Sequence, residues 1–165
     1  MKEFVRNLSL LSTDYDIIVI TESWLNEKKL EASELNNPTF FFYRQDRTIQ
    51  NAERGGGILV GVNKKLISGV CNTLEIINSK YEQIYITVIK NECRFIIGAV
   101  YIPYPSLGIL QDLSMYVGDL MDVYVDHNFI FLGDFNLPKV MWFMDNNKIK
   151  FDYAVDIEQD ILQCS

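Results

Sequence analysis

Phe129-Ile-Phe-Leu-Gly-Asp-Phe-Asn-Leu-Pro138 is the stretch on which the reading of this chain turns. A fully apolar run breaks off abruptly at Gly133-Asp134-Phe135-Asn136. A short, continuous apolar run reads as a strand buried on both faces. The glycine then lets the backbone turn tightly. If the extended path continues, Asp134 and Asn136 emerge on the same side. An acid beside an amide can hold and activate a water next to a bound phosphate. A plain turn after a core strand accounts for these ten residues equally well when they are taken alone.

Two other stretches repeat the design. Asp16-Ile-Ile-Val-Ile-Thr-Glu22-Ser-Trp24 places four β-branched apolar residues in a buried strand, with Glu22 just beyond its end. Arg94-Phe-Ile-Ile-Gly-Ala-Val-Tyr101-Ile-Pro103 carries Tyr101 near its end, where Pro103 stops the ladder. Three buried strands thus each deliver polar groups where they leave the core: Glu22, Tyr101, and Asp134 with Asn136. Catalytic groups concentrate at such strand-to-loop exits, held by a rigid scaffold.

The resemblance to a known family rests on these strings and their order. Asp16 to Trp24, the run Arg54-Gly-Gly-Gly-Ile-Leu-Val60, Val100-Tyr-Ile-Pro103 and Leu132-Gly-Asp-Phe-Asn-Leu-Pro138 follow one another along the chain. Together with Tyr43-Arg-Gln-Asp-Arg47 and Tyr81-Glu-Gln-Ile84, they resemble the endonuclease domain of jockey-like non-LTR retrotransposons. That domain belongs to the endonuclease/exonuclease/phosphatase superfamily. The similarity covers almost the whole chain, residues 1–165, as one partial domain. It implies an α/β fold, a four-layer α/β sandwich, here incomplete.

Composition sets outer bounds. At 165 residues the chain fits one domain and can bury a real core. Apolar content of 48% with 13% aromatics excludes a disordered chain. No apolar run reaches the length of a membrane span, and Met-Lys-Glu-Phe-Val-Arg lacks a signal-peptide pattern, so no membrane role is expected. Cys71, Cys93 and Cys164 are scattered, which points to reduced thiols in the cytoplasm or nucleus. They read as small core hydrophobes. The net charge of −7 argues against tight, salt-driven DNA binding by this chain alone.

Periodicity organises the chain into strands with few helices. Phe4, Leu8 and Leu11 predict a short helix over 3–11 before a strand over 16–21. Residues 25–38 are polar and read as loop. Strands are expected over 40–43, from Gly55-Gly-Gly57 through Val62, and over 70–77, 83–90, 94–102 and 129–132, with Asn63-Lys-Lys65 and Asn91-Glu92 as turns. Leu113, Val117, Leu120 and Tyr124 place a helix over 107–125, and the acidic tail over about 152–163 reads as another. Many strands with few helices argue for two packed sheets with helices on the outer faces.

The resemblance also implies roles. Phosphodiester hydrolysis needs the phosphate charge neutralised, a water made nucleophilic and a leaving oxygen stabilised. Magnesium does much of this and takes one or two carboxylates plus waters; manganese can stand in for it. Glu22 matches the family's metal ligand, Asp134 the acid that orients or deprotonates the attacking water, and Asn136 the amide on a phosphate oxygen. Tyr101 matches a tyrosine on the scissile phosphate, where a phenol donates without adding charge. Tyr104 stands where some relatives carry a DNA-contacting residue. Arg44 and Arg47 could touch the DNA backbone, and structural ion pairs would explain them as well. Gly55-Gly-Gly57 reads as a flexible start to a strand, since no Lys-Ser/Thr follows as a phosphate loop requires. Trp24 and Trp142 lie beside motif residues, and core packing is the default for both.

Two departures from the family's pattern matter. The family's Asn-bearing first strand has no counterpart before the helix expected over 3–11, and the Ser-Asp-His segment that ends the domain has none before Ser165. The one histidine, His127, reads as a loop residue. The resemblance therefore implies a magnesium-dependent DNA-nicking domain, reduced to weak or no activity, from a polyprotein that also carries reverse transcriptase. A phosphatase of the same superfamily and an inactive, partner-binding remnant are the competing readings.

Overall fold

Short apolar runs, whose side chains point alternately to the two faces of a strand, build two sheets that face each other. The computed structural model describes residues 15–25, 35–47, 55–71, 80–137, 140–145 and 148–153. In chain order its elements are β1 (Ile17–Thr21), β2 (Phe40–Gln45), β3 (Ile58–Asn63), β4 (Ile67–Val70), β5 (Glu82–Lys90), β6 (Cys93–Tyr101), α1 (Leu107–Val123), β7 (Asn128–Asp134), β8 (Val140–Asp145) and β9 (Lys148–Tyr153). One sheet has the order β1-β3-β2 and the other β4-β5-β6-β7; β8 and β9 pair with each other.

Ile84, Ile86 and Val88 fall on one face of β5, and Ile97 and Ala99 lie beside them in register on β6. These side chains pack against Ile58, Val60 and Val62 of β3, flanked by Ile17 and Val19 of β1 and Tyr43 of β2. This is the main core. Hairpin β5–β6 turns at Asn91-Glu92, both with positive φ (49° and 66°), the geometry whose twist matches antiparallel strands.

The opposite face of the four-stranded sheet is covered by α1. Ser106 caps that helix, its Oγ accepting from the Ile109 N–H at 3.3 Å. Ile109, Leu113 and Leu120 then recur on one stripe and pack against Val100, Ile102, Tyr85 and Ile96. The outer face of the three-stranded sheet is covered by Leu25 and Leu35, which pack on Leu59, Ile20 and Phe42.

The four-layer α/β sandwich is therefore not the fold of the described residues, which are mainly β: two sheets, with one helix on one outer face. On the smaller sheet the described covering residues are Leu25 and Leu35, and the stretch between them lies outside the described residues. The helix expected over 3–11 lies outside the described residues. The tail helix fails at its start, because residues 152–153 belong to β9; its remainder lies outside the described residues. Lys148-Ile-Lys-Phe-Asp-Tyr153 alternates polar and apolar residues, the period of a strand. The strand expected over 70–77 meets β4 only at Val70: β4 spans Ile67–Val70, Cys71 lies outside it, and residues 72–77 lie outside the described residues.

A second correction concerns burial. The run 129–132 was expected to be buried on both faces, yet Ile130 and Leu132 are 40% and 39% exposed. Their strand, β7, is an edge among the described residues, and β1 is the edge of the smaller sheet on the same side. Three strands cannot cover the inner face of four, so β1 shields β7 only in part. The same edge position leaves every residue of β1 half-buried. No helix among the described residues is long and apolar enough to cross a membrane.

Candidate active site

Strand register assembles the site. Glu82 lies opposite Tyr101 in the β5–β6 ladder, and Tyr101 lies opposite Asp134 in the parallel β6–β7 ladder. The three therefore form one row across three strands. They stand on the face that carries Ile84, Ala99 and Leu132 one row further in, since side chains two apart share a face. The core thus ends in a row of an acid, a phenol and an acid.

Glu22 joins this row from the other sheet. It follows β1 directly, with φ of 51°, a left-handed conformation uncommon for a residue with a side chain. Its Oε1 accepts a short hydrogen bond from the Tyr101 hydroxyl. Tyr101 is only 5% exposed, whereas Glu22 is exposed. Burial first, then the hydrogen bond to Glu22 and its charge, push the Tyr101 phenol well above its ordinary value. It therefore stays a neutral donor.

Asp134 and Asn136 end β7 in a tight local arrangement. The Asn136 backbone N–H donates to Asp134 Oδ1 at 2.9 Å, and its Nδ2 donates to the Ile102 carbonyl at 2.8 Å. The Ile102 N–H in turn donates to the Asp134 carbonyl at 2.9 Å. Asn136 has φ of 48°, a conformation that asparagine tolerates better than most residues. Gly133 is what permits this turn: its φ is 151°, and a Cβ there would lie 1.8 Å from the Val100 carbonyl oxygen. Both Asp134 and Asn136 are exposed. One hydrogen of the Asn136 amide is given to Ile102, and a second remains to donate.

The sequence did not mark the residue that organises the back of the site. Glu82 is 4% exposed. Its Oε2 accepts from the Gly57 N–H at 2.6 Å, and its Oε1 lies 3.4 Å from Arg47 Nε. Burial pushes its carboxyl up, the Gly57 N–H and Arg47 pull it down, and the charge of Glu22 pushes it up. One signal could have found it. Glu82 continues the inward row of Ile84, Ile86 and Val88, and an acid in line with core residues needs a partner.

The three glycines before β3 are more than a flexible start to a strand. Gly55, Gly56 and Gly57 all have positive φ, and the Gly57 and Gly56 carbonyls accept from the Ser23 and Trp24 N–H groups at 2.9 and 2.8 Å. Trp24 does not pack in the core: it is 57% exposed, between buried Ser23 and Leu25. Tyr104, three residues beyond Tyr101, is 80% exposed. Arg44, near the end of β2, is bound by Asp46, Nε to Oδ1 at 2.7 Å with a second, shorter contact from its other nitrogen to Oδ2, so its fork is engaged by a residue just past its own strand.

Among the described residues no three His, Cys, Asp or Glu side chains gather as a ready-made metal cage. Magnesium does not need one, since it keeps several waters and takes few carboxylates. An exposed glutamate, fixed from behind by a phenol, fits that requirement, and so does the all-oxygen donor set around it. His127 stands elsewhere, lining a cavity with Ile67, Ser68, Gly69, Thr87, Ile89 and Arg94. Ile89 and Glu82 are seven residues apart on β5, about 23 Å at the rise of a strand. No family model matches this chain, and no curated protein matches it.

Proposed function

We propose that this chain is a metal-dependent phosphodiesterase module that nicks DNA, of the kind found in jockey-like retrotransposon endonucleases. One observation carries the reading: Glu22, Tyr101, Asp134 and Asn136, from strand ends in both sheets, converge on one rim of the sandwich. Glu22 would hold magnesium, with manganese as a substitute, and the bound ion would supply charge neutralisation on the phosphate and stabilise the leaving oxygen. Asp134 orients the attacking water and takes its proton. Asn136 has an amide hydrogen to give to a phosphate oxygen. Tyr101 holds the Glu22 carboxylate in place, and its single hydroxyl proton becomes available to the phosphate only when Glu22 releases it.

A nucleic-acid substrate is favoured over a small phosphoester by the aromatics flanking this rim. Trp24 and Tyr104 are exposed beside Glu22 and Tyr101, and exposed aromatics are stacking platforms for unpaired or splayed bases. His127 lines a cavity at the other end of the sheet, so it does not assist at this rim. The net charge of −7 makes affinity for DNA weak. In this reading the chain works inside the cell, in nucleus or cytoplasm, as part of a polyprotein with a reverse transcriptase domain.

The test is relaxation of supercoiled plasmid with magnesium and with chelator, beside hydrolysis of a phosphomonoester such as p-nitrophenyl phosphate. Slow nicking that requires the metal, with no monoesterase activity, is the expected result. Metal-independent nicking, or monoester hydrolysis that outruns nicking, would contradict it.

A further inference from the structure

We propose that Glu82 is a positioning residue: from beneath the Gly55–Gly57 turn it fixes the backbone that presents Glu22 to a divalent cation. The inference rests on the reading of Glu22 as a metal ligand and adds a residue to it.

The connection is a chain of hydrogen bonds. Glu82 Oε2 takes the Gly57 N–H at 2.6 Å; the carbonyls of Gly57 and Gly56 take the N–H groups of Ser23 and Trp24 at 2.9 and 2.8 Å. Those amides immediately follow Glu22, whose φ of 51° and that of Trp24, 55°, require outside support. The fit around the turn is close. A Cβ on Gly56 would lie 2.5 Å from Glu82 Oε1, and one on Gly57 would lie 2.6 Å from Ser23 Oγ. Ser23 is fully buried, so the segment is anchored between its exposed neighbours, Glu22 and Trp24. On the opposite strand, Tyr101 sits in register with Glu82 and donates to the Glu22 carboxylate. Glu82 therefore governs the main chain of Glu22 while Tyr101 governs its side chain. A carboxylate buried to 4% exposure is a demanding way to support a turn, and an apolar residue continuing the row of Ile84 and Ile86 would fill the place more simply. Its reach to Gly57 explains why an acid stands there.

Reach and charge can be separated. Glu82→Gln keeps an oxygen at the same distance without the charge. Glu82→Asp keeps the charge but is one methylene short of Gly57. Two readouts serve: magnesium affinity by calorimetric titration, and hydrogen exchange at the Ser23 and Trp24 amides without metal. Partners behind a metal ligand typically change affinity 10–100-fold. Glu82→Asp is expected to weaken magnesium binding about tenfold and to speed exchange at both amides, while Glu82→Gln stays close to the wild type in both. The opposite ranking, with Gln impaired and Asp normal, would overturn the proposal in favour of a purely electrostatic role. Unchanged exchange in both folded variants would overturn it outright. Wild-type protein that binds no magnesium would instead sink the metal reading of Glu22, and the amide exchange would still decide whether Glu82 holds the turn.

Discussion

The four-stranded sheet has two ends, and they are built differently. At one end the row Glu82, Tyr101 and Asp134 closes the core with polar groups, each tied to a neighbour, over a backbone full of positive φ angles. At the other, Ile89, Arg94 and His127 border an open cavity, and the ion pair there, Lys90 with Asp16, is about half exposed. Strain and buried charge persist only where the surroundings over-determine them, and they gather at functional sites. Both features are concentrated at the first end. The comparison separates residues that the fold needs from residues that only the site needs.

Glycines test the contrast most severely. Gly133→Ala drives a Cβ into the Val100 carbonyl at 1.8 Å, whereas at Gly69 the nearest atom would be the Thr87 hydroxyl at 3.6 Å. Gly133→Ala is expected to destabilise by more than about 4 kcal/mol, since strain at a special backbone position is among the few causes of losses that large. Gly69→Ala should stay within about 1 kcal/mol of the wild type. Urea unfolding of the two variants measures both.

The ion pairs come next. Arg47 and Glu82 are largely buried, with side chains 15% and 3% exposed, against 47% and 49% for Lys90 and Asp16. Removing one partner of a buried pair leaves an uncompensated charge, so Arg47→Met is expected to destabilise by about 3 kcal/mol or more. Lys90→Met, at the exposed pair, should change stability by less than about 1 kcal/mol. Equal effects would erase the distinction between the ends.

Tyr101→Phe gives a smaller, more specific effect. It removes the donor to Glu22 and leaves the ring in the core. The loss of stability should be about 1 kcal/mol, as for a single hydrogen bond. Nicking should fall further, by about tenfold or more, because a hydrogen bond to a charged group is the stronger kind. A variant that loses stability and activity in equal measure would point to a structural role alone.

Much of this was legible in the sequence, and the rest was not for identifiable reasons. The strand-end placement of Glu22, Tyr101, Asp134 and Asn136 could be read because each follows an apolar run that ends sharply, a local signal. Helix α1 was legible from the spacing of Leu113, Leu120 and Tyr124. Glu82 was hidden because its partner, Gly57, is 25 residues away and only register reveals the meeting. The half-exposure of Ile130 and Leu132 could not be read from an apolar run, because neighbouring strands decide burial. The layer count failed for a similar reason: how many layers cover a sheet depends on tertiary placement, and the described residues set only one helix against the two sheets. The β8–β9 hairpin did have a local signal, the alternation in Lys148–Tyr153, whose last two residues run into the start of the expected tail helix.

The central claim is that phosphodiester chemistry belongs to the polar end of the sheet. It is tested most directly by magnesium-dependent plasmid nicking with Asp134→Asn and His127→Gln side by side. Asp134→Asn removes the proton acceptor and is expected to lower the rate by about 10²-fold or more, the range for a positioned general base. His127→Gln, at the far end, should leave the rate unchanged. If His127→Gln abolishes nicking while Asp134→Asn does not, the chemistry lies elsewhere and the account is wrong.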